Sequence, residues 1–139
     1  MLRVISRTTP MLTESVLRKT LSLSACSPKR FVIKDHFDFD KKVINSDNAV
    51  VVNFHAEWCE PCKILTPKMT ELLEDNPDID LAVVDVDTNI ELVNLFEVKA
   101  VPAVLAFRNG VVVDKFIGLV DANMIEDLIK NLSRKKKAE

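Results

Sequence analysis

The chain has 139 residues, of which 47% are hydrophobic and 29% are charged, and its formal net charge is −2. A chain of this length can bury a core as a single domain, so it needs neither a metal ion nor a structural disulfide to fold. No apolar run approaches the ~20 residues of a membrane span, which predicts a soluble protein without membrane insertion.

Basic and acidic residues are distributed unevenly along the chain. Residues 1–30 contain six basic residues and one acidic residue, whereas residues 31–139 contain 13 basic and 20 acidic residues. The first segment is also rich in Ser and Thr, with apolar residues between its arginines, a composition typical of a transit peptide. We predict a mitochondrial transit peptide over residues 1–30, cleaved or disordered, and one folded domain over residues 31–139. A disordered basic tail is the alternative for the first segment.

The first half of the folded domain reads as strand, helix, strand, helix. These elements are predicted at residues 31–33, 35–44, 49–54 and 60–74, with Asp35 as the predicted N-cap of the first helix. The second strand, AVVVNF, is β-branched and nearly all apolar, as expected of a central strand that is covered on both faces. Pro67 lies inside the second helix, where the loss of one backbone hydrogen bond predicts a kink.

The second half reads as strand, helix, strand, strand, helix. These elements are predicted at residues 81–86, 88–96, 103–107, 111–117 and from 122 onward. Thr88 and Asp121 are the predicted N-caps of the two helices. Asn109-Gly110 lies between two apolar runs, which is a strong hairpin signal. The order βαβαβαββα predicts an α/β fold, with a central mixed β-sheet flanked by helices on both faces.

Two cysteines stand three positions apart at the start of the second predicted helix. Cys59 and Cys62 could be part of a metal site, form a structural disulfide or act as a redox pair. Cys26 falls in the predicted leader, and the two histidines, His36 and His55, are not at ligand spacing from the pair, so we predict no metal site.

The two cysteines are not equivalent. Cys59 is predicted to face the unpaired amides at the helix start, where N–H donors and the helix dipole stabilise a thiolate, whereas Cys62 lies further into the helix. We therefore predict that Cys59 is the nucleophile and Cys62 the resolving cysteine. Pro61 fits the first helical turn and stiffens the ring that the pair closes. Trp58 supplies a flat apolar surface beside the site, or else a half-buried core aromatic.

These motifs together resemble the thioredoxin family over residues 31–138. The resemblance is carried by FHAEWCEPCK at 54–63, Pro67, Val101-Pro102, Asn109-Gly110 and Gly118. C-x-x-C beside a βαβ pattern is the established signature of thioredoxin-like redox proteins. With its basic leader, the chain is most similar to mitochondrial members of the family.

The resemblance implies a thioredoxin fold and a dithiol that reduces disulfides in client proteins such as peroxiredoxins. It implies no bound cofactor, with reducing equivalents coming from NADPH through a thioredoxin reductase. It also implies that Pro102 is cis and that Trp58, Val101 and Gly118 contact the substrate, with the backbone of Val101 pairing as an added strand. We expect a monomer in the mitochondrial matrix. The basic run at 133–137 is interpreted as a solvated tail, not a nucleic-acid site.

The sequence departs from the family pattern near the cysteine pair. Glu60 replaces the usual glycine between the cysteines. Asn53 stands where an aspartate commonly takes the proton of the resolving cysteine, and Val83 stands where a lysine commonly neighbours that aspartate. Because the aspartate and the lysine are both replaced, neither charge is left buried without a partner. The replacement also removes the expected general base for Cys62. His55 is predicted to be a partly buried packing residue and not a replacement base.

The function predicted from sequence is a thiol–disulfide oxidoreductase that acts through Cys59 and Cys62 in mitochondrial redox homeostasis. A rival from another class is a thioredoxin-like binding module with little turnover, because Asn53 and Val83 replace the usual relay. A structural metal protein is the third possibility.

Overall fold

The structure is a computed structural model that describes residues 30–118 and 120–138. The predicted transit peptide, including Cys26, lies outside the described residues except for its last residue, Arg30. That residue already belongs to the first strand of the sheet.

The described elements follow the predicted order βαβαβαββα. They are β1 Arg30–Val32, α1 His36–Phe39, β2 Ala49–His55, α2 Glu60–Glu74, β3 Ile79–Asp85, α3 Ile90–Leu95, β4 Ala103–Arg108, β5 Val111–Ile117 and α4 Ala122–Ala138. Helix α1 continues into one π-helical segment, Asp40–Ile44. Helix α2 has the predicted bounds and runs through Pro67.

The five strands form one mixed sheet in the order β1-β3-β2-β4-β5. Strands β1, β3 and β2 are parallel to one another, and β4 and β5 add to the β2 edge as an antiparallel hairpin. Strand β2 is therefore the centre of the sheet, as its apolar composition predicts. Its last residue, His55, leads into the loop that carries the cysteine pair.

Side chains alternate between the two faces of β2, and both faces are covered. Val50, Val52 and Phe54 belong to one core with α1 and α3, in which Phe39, Phe54, Phe96 and Phe107 make ring contacts. Ala49 and Val51 belong to the other core, with α2 and α4. Because alternate residues share a face, Asn53 points toward α2. Strand alternation thus places this buried amide under the helix that begins at the cysteines.

Local capping residues account for most of the helix starts. Asp35 accepts a hydrogen bond from the Asp38 N–H (2.8 Å), and Asp121 accepts one from the Met124 N–H (2.9 Å), so both predicted N-caps are confirmed. The Thr88 prediction is wrong: α3 begins one residue later, with Asn89 as its N-cap. The Asn89 amide instead donates to the Asp85 carbonyl and the Thr88 hydroxyl, so it fixes the loop after β3.

The hairpin between β4 and β5 forms as predicted. Asn109 and Gly110 both have positive φ, 53° and 77°, which is the backbone that a two-residue hairpin turn requires. A Cβ on Gly110 would also meet the carbonyl oxygen of Ile44 at 3.0 Å. Glycine is therefore required there both by conformation and by space.

Asp38 in α1 has a pKa that its neighbours lower. Burial pushes the pKa of Asp38 upward, but hydrogen bonds from the Lys34 N–H (3.0 Å) and the Lys42 ammonium outweigh it. The pKa of Asp38 therefore lies below its usual range.

Across the described residues, no helix combines the length and apolarity needed to cross a membrane.

Candidate active site

Cys59 is the N-cap of α2. Its backbone is extended (φ −88°, ψ 105°), and its sulfur accepts a hydrogen bond from the Cys62 N–H at 3.3 Å. Pro61 lies in the first helical turn, where its missing N–H removes no helical bond. The sulfur of Cys59 is thus held at the positive end of a 15-residue helix, where a thiolate is stabilised.

The structure shows the oxidised form, with a disulfide bond between Cys59 and Cys62. Their Cα atoms are 5.3 Å apart, well within the range that a disulfide tolerates. Exposure hardly distinguishes them, because Cys59 is 4% exposed and Cys62 is 2% exposed. The chemical difference between them therefore comes from the N-cap position and the hydrogen bond to Cys59, not from burial.

The loop before β4 packs against the cysteine pair. The peptide bond between Val101 and Pro102 is cis, as the family resemblance implies. Val101 is half-buried and joins Ala56 and both cysteines in a small apolar cluster. The Pro102 carbonyl accepts a hydrogen bond from the Gly118 N–H (2.8 Å), and Gly118 has a φ of 95°. Two of the predicted substrate-binding residues, Val101 and Gly118, are thus tied to one loop beside the site.

Exposed apolar side chains surround this loop and the start of α2. Trp58 is 66% exposed, and its indole Nε1–H donates to the Asp87 carboxylate at 3.1 Å. Ile64, in the first turns of α2, is 77% exposed. Trp58 is therefore not a core aromatic. It is a surface residue with a fixed orientation next to Cys59.

Glu60 is exposed and forms an ion pair with Lys63. The Lys63 ammonium donates to the Glu60 carboxylate at 2.8 Å, one helical turn away. The extra negative charge between the cysteines is therefore partly offset by a neighbouring positive charge on the same helix.

Asn53 is fully buried beneath α2. Its Nδ2 donates to the hydroxyl of Thr66 at 2.8 Å, while its Oδ1 is buried without a hydrogen-bond partner in the described part of the chain. Val83 is the register partner of Asn53 on β3 and is also buried. Thr66 is the functional candidate that the sequence reasoning missed. Its position four residues after Cys62, on the same helical face, was the available signal.

A cleft of about 660 Å³ opens beside Cys62. The residues that line it are Arg30, Val32, His55, Ala56, Glu57, Cys62, Lys63, Thr66, Val83 and Asp85. His55 is half-buried, as predicted, and it faces this cleft together with Cys62 and Thr66. Cys62 therefore shares this cleft with several polar and charged side chains.

A second, more apolar cleft lies on the other side of the start of α2. It has a volume of about 460 Å³ and is lined by Pro61, Ile64, Leu65, Val120 and Ile125, among others. Metal-binding groups are not assembled here: residues 30–118 and 120–138 contain no cluster of three or more His, Cys, Asp or Glu side chains that could hold an ion.

Comparisons with known proteins agree with this geometry. The family model "Thioredoxin" matches residues 30–131. A protein named "Thioredoxin, mitochondrial" from Bos taurus is 43% identical over 121 residues, which cover 86% of this chain and 72% of the relative. The protein of the same name from Rattus norvegicus is 42% identical over the same length. A solved mutant thioredoxin from Halobacterium salinarum aligns with a TM-score of 0.70 at 31% identity, covering 78% of this chain and 96% of that chain.

Proposed function

Since the chain belongs to the thioredoxin family and is a thiol–disulfide oxidoreductase, we propose that it reduces disulfide bonds in client proteins. The observation that carries the proposal is the placement of Cys59 at the N-cap of α2, bonded to Cys62 and accepting its N–H. A sulfur in this position is a stabilised thiolate once the disulfide is reduced.

The proposed reaction starts from the reduced dithiol. The Cys59 thiolate attacks one sulfur of the client disulfide, so that a mixed disulfide forms and the other client sulfur leaves as a thiolate that takes a proton from solvent. Cys62 loses its proton and attacks Cys59, which forms the intramolecular disulfide and releases the second client sulfur as a thiolate that takes a proton from solvent. Two electrons pass from the dithiol to the client, and the Cys59–Cys62 disulfide seen in the structure is the product.

The surface around the pair suits a protein client. The exposed side chains of Trp58 and Ile64 offer apolar area, and Val101, in the loop before β4, lies against the cysteines. Gly118, after β5, is hydrogen-bonded to that loop. We propose that the backbone of Val101 pairs with an extended client segment, as in strand addition. We also propose that Trp58, Pro102 and Gly118 contact that segment.

Turnover requires a source of electrons. We propose that the disulfide is returned to the dithiol by an NADPH-dependent thioredoxin reductase, and that clients include peroxiredoxins. The protein would work as a monomer without a bound cofactor and without nucleic acid.

We place this activity in the mitochondrial matrix. Two relatives that are 43% and 42% identical to this chain carry "mitochondrial" in their names, and residues 1–30 have a transit-peptide composition.

A chain that starts at Ser27 retains every described element, so it should fold and keep full activity. Loss of the folded domain on this truncation would show that the boundary is misplaced.

A binding module with little turnover is the second candidate. The observation in its favour is that the buried amide of Asn53 cannot accept the Cys62 proton as a carboxylate would. Such a protein would capture clients through Cys59 and release them slowly.

Insulin reduction coupled to a mitochondrial thioredoxin reductase separates the two candidates. We expect sustained NADPH consumption that depends on insulin and that is lost in Cys62→Ser. NADPH consumption limited to one equivalent per chain would favour the binding module.

A further inference from the structure

The wall of the cleft beside Cys62 carries a threonine, Thr66, that is hydrogen-bonded to the buried amide of Asn53, and the family-based mechanism uses no such pair. Thr66 lies one helical turn after Cys62, and both residues line the same cleft. Residues four apart on a helix are neighbours on one face. Asn53, wholly buried on the central strand, donates its amide hydrogen to the Thr66 hydroxyl oxygen. The Thr66 hydroxyl is therefore held in place by a hydrogen bond from the central strand.

The hydrogen bond from Asn53 determines which further hydrogen bonds the Thr66 hydroxyl can form. A threonine hydroxyl has one hydrogen to donate and two lone pairs to accept with. Since Asn53 occupies a lone pair, the hydroxyl hydrogen remains available to a negatively charged neighbour. The other hydroxyl of this helix region, on Thr70, instead donates to the Thr66 carbonyl at 2.9 Å, so it is already engaged with the backbone.

On the basis of the proposed reductase function, we propose that Thr66, held by Asn53, donates its hydroxyl hydrogen to the Cys62 thiolate, while the Cys62 proton leaves through the cleft to a base in solvent. This device replaces an internal carboxylate. It stabilises the attacking thiolate but does not itself take up the proton.

The proton and electron balance is complete. Cys62 gives its thiol proton to water or a buffer base in the cleft, and its thiolate attacks Cys59 of the mixed disulfide. The Cys59–Cys62 bond forms as the bond from Cys59 to the client sulfur breaks, and the client thiolate takes up a proton from solvent. The hydroxyl of Thr66 keeps its hydrogen throughout.

Other ionisable groups face the same cleft and have to be separated from the solvent pathway. They are Arg30 from β1, His55 from the end of β2, Glu57 from the following loop, Lys63 from α2 and Asp85 from the end of β3. If His55, Glu57 or Asp85 took the proton, the step would have an internal base, and its rate would not depend on the buffer.

The resolving step can be followed alone in the full chain with Cys26→Ser, which removes the additional thiol. Excess reduced protein is mixed with dithiobis(nitrobenzoate), and the release of thionitrobenzoate is recorded by stopped flow. The first equivalent reports attack by Cys59 and the second reports resolution by Cys62. Cys62→Ser assigns the phases, because it should abolish the second phase only.

Three substitutions test the hydroxyl. Thr66→Val keeps the shape of the side chain and removes the hydroxyl, so the second phase should slow about tenfold and its pH midpoint should rise by about one unit. Thr66→Ser restores the hydroxyl and should stay within about twofold of the unsubstituted protein. Thr70→Val removes the other hydroxyl and should change neither phase. A residue with a purely structural role would not move the pH midpoint.

The buffer dependence tests the proton path without any substitution at position 66. The rate of the second phase should rise with imidazole concentration at constant pH and ionic strength. A rate independent of buffer, or Thr66→Val with an unchanged pH midpoint, would overturn the inference while leaving the reductase function intact. A second phase that persists in Cys62→Ser would instead overturn the proposed function itself.

Discussion

Asn53→Asp should replace an uncharged buried amide with a buried carboxyl, and the fold should then lose stability as the pH rises. Asn53 is 0% exposed, and its side-chain amide donates to the Thr66 hydroxyl at 2.8 Å. Full burial can raise the pKa of a carboxyl by 3 to 5 units, and we take about 2 units here because Thr66 can donate to the carboxylate. At 1.36 kcal/mol per unit, this corresponds to a loss of about 2.7 kcal/mol in the free energy of unfolding.

The sign of the pH dependence follows from proton linkage. The folded pKa of the new carboxyl lies above its unfolded value, so the penalty is absent below the unfolded pKa, near pH ~4. It grows as the pH rises toward the folded pKa and is constant above it. The new carboxylate should also act as a base for Cys62, so the resolving step should become faster and less dependent on buffer.

Val83→Lys provides the partner for a double-mutant cycle. Val83 is the register neighbour of Asn53 and lines the cleft, so a lysine there can reach the new carboxylate. Each substitution alone should destabilise the fold at neutral pH, and the pair should be less destabilised than the sum by about 1 to 3 kcal/mol. Asn94→Asp, an exposed change of the same type on α3, is the matched control and should show no such penalty.

Urea unfolding of all four variants at about pH 4 and about pH 8 measures these quantities. An equal loss of stability at both pH values in Asn53→Asp would contradict the reasoning, because the loss would then come from packing and not from a buried charge. Additive effects of the two substitutions would show that the side chains at 53 and 83 do not meet.

Three further predictions concern the site and the fold. Cys62→Ser should trap a covalent client complex through Cys59, whereas Cys59→Ser should trap little, and equal trapping on a non-reducing gel would reverse the assignment. Glu60→Gly should lower the pKa of the Cys59 thiol, by a small amount because the lost carboxylate is exposed and paired with Lys63; an upward shift in a low-salt thiolate titration would refute this sign. Asp38→Asn should cost about 1 kcal/mol near neutral pH, and the difference from the parent should vanish as the pH falls through the lowered pKa of Asp38; a pH-independent difference in urea unfolding would argue against its hydrogen bonds.

Local patterns predicted most of the fold. The periodicity of apolar residues identified every element in the described part of the chain, and α2 has the predicted bounds because its apolar stripe and its N-terminal Cys-x-Pro-Cys are both strong signals. Asp35 and Asp121 were predicted as caps because a capping carboxylate acts within three residues. The N-cap prediction at Thr88 was wrong because Thr88 and Asn89 are consecutive residues that both suit an N-cap. Only the contact between Asn89 and Asp85 in the folded loop decides between them.

The chemistry beneath the cysteines could be predicted only in part. The resemblance singled out position 53, but the family pattern has an aspartate there and so gave no hydrogen-bond partner for an asparagine. The contact with Thr66 depends on the register of β2 against α2, which joins residues 13 apart in sequence through tertiary packing. The cleft that His55 and Cys62 share is likewise formed by four separate elements, so no local pattern encodes it.

The most direct test of the account is a single turnover with a protein client. Reduced protein is mixed with an equal amount of insulin, the reaction is quenched with acid, and the thiols and disulfides of both proteins are mapped by mass spectrometry. We expect one Cys59–Cys62 disulfide to form for each insulin disulfide that is reduced, with only a transient mixed disulfide at Cys59. A stable Cys59–insulin adduct with Cys62 still reduced, or insulin that keeps all its disulfides, would contradict it.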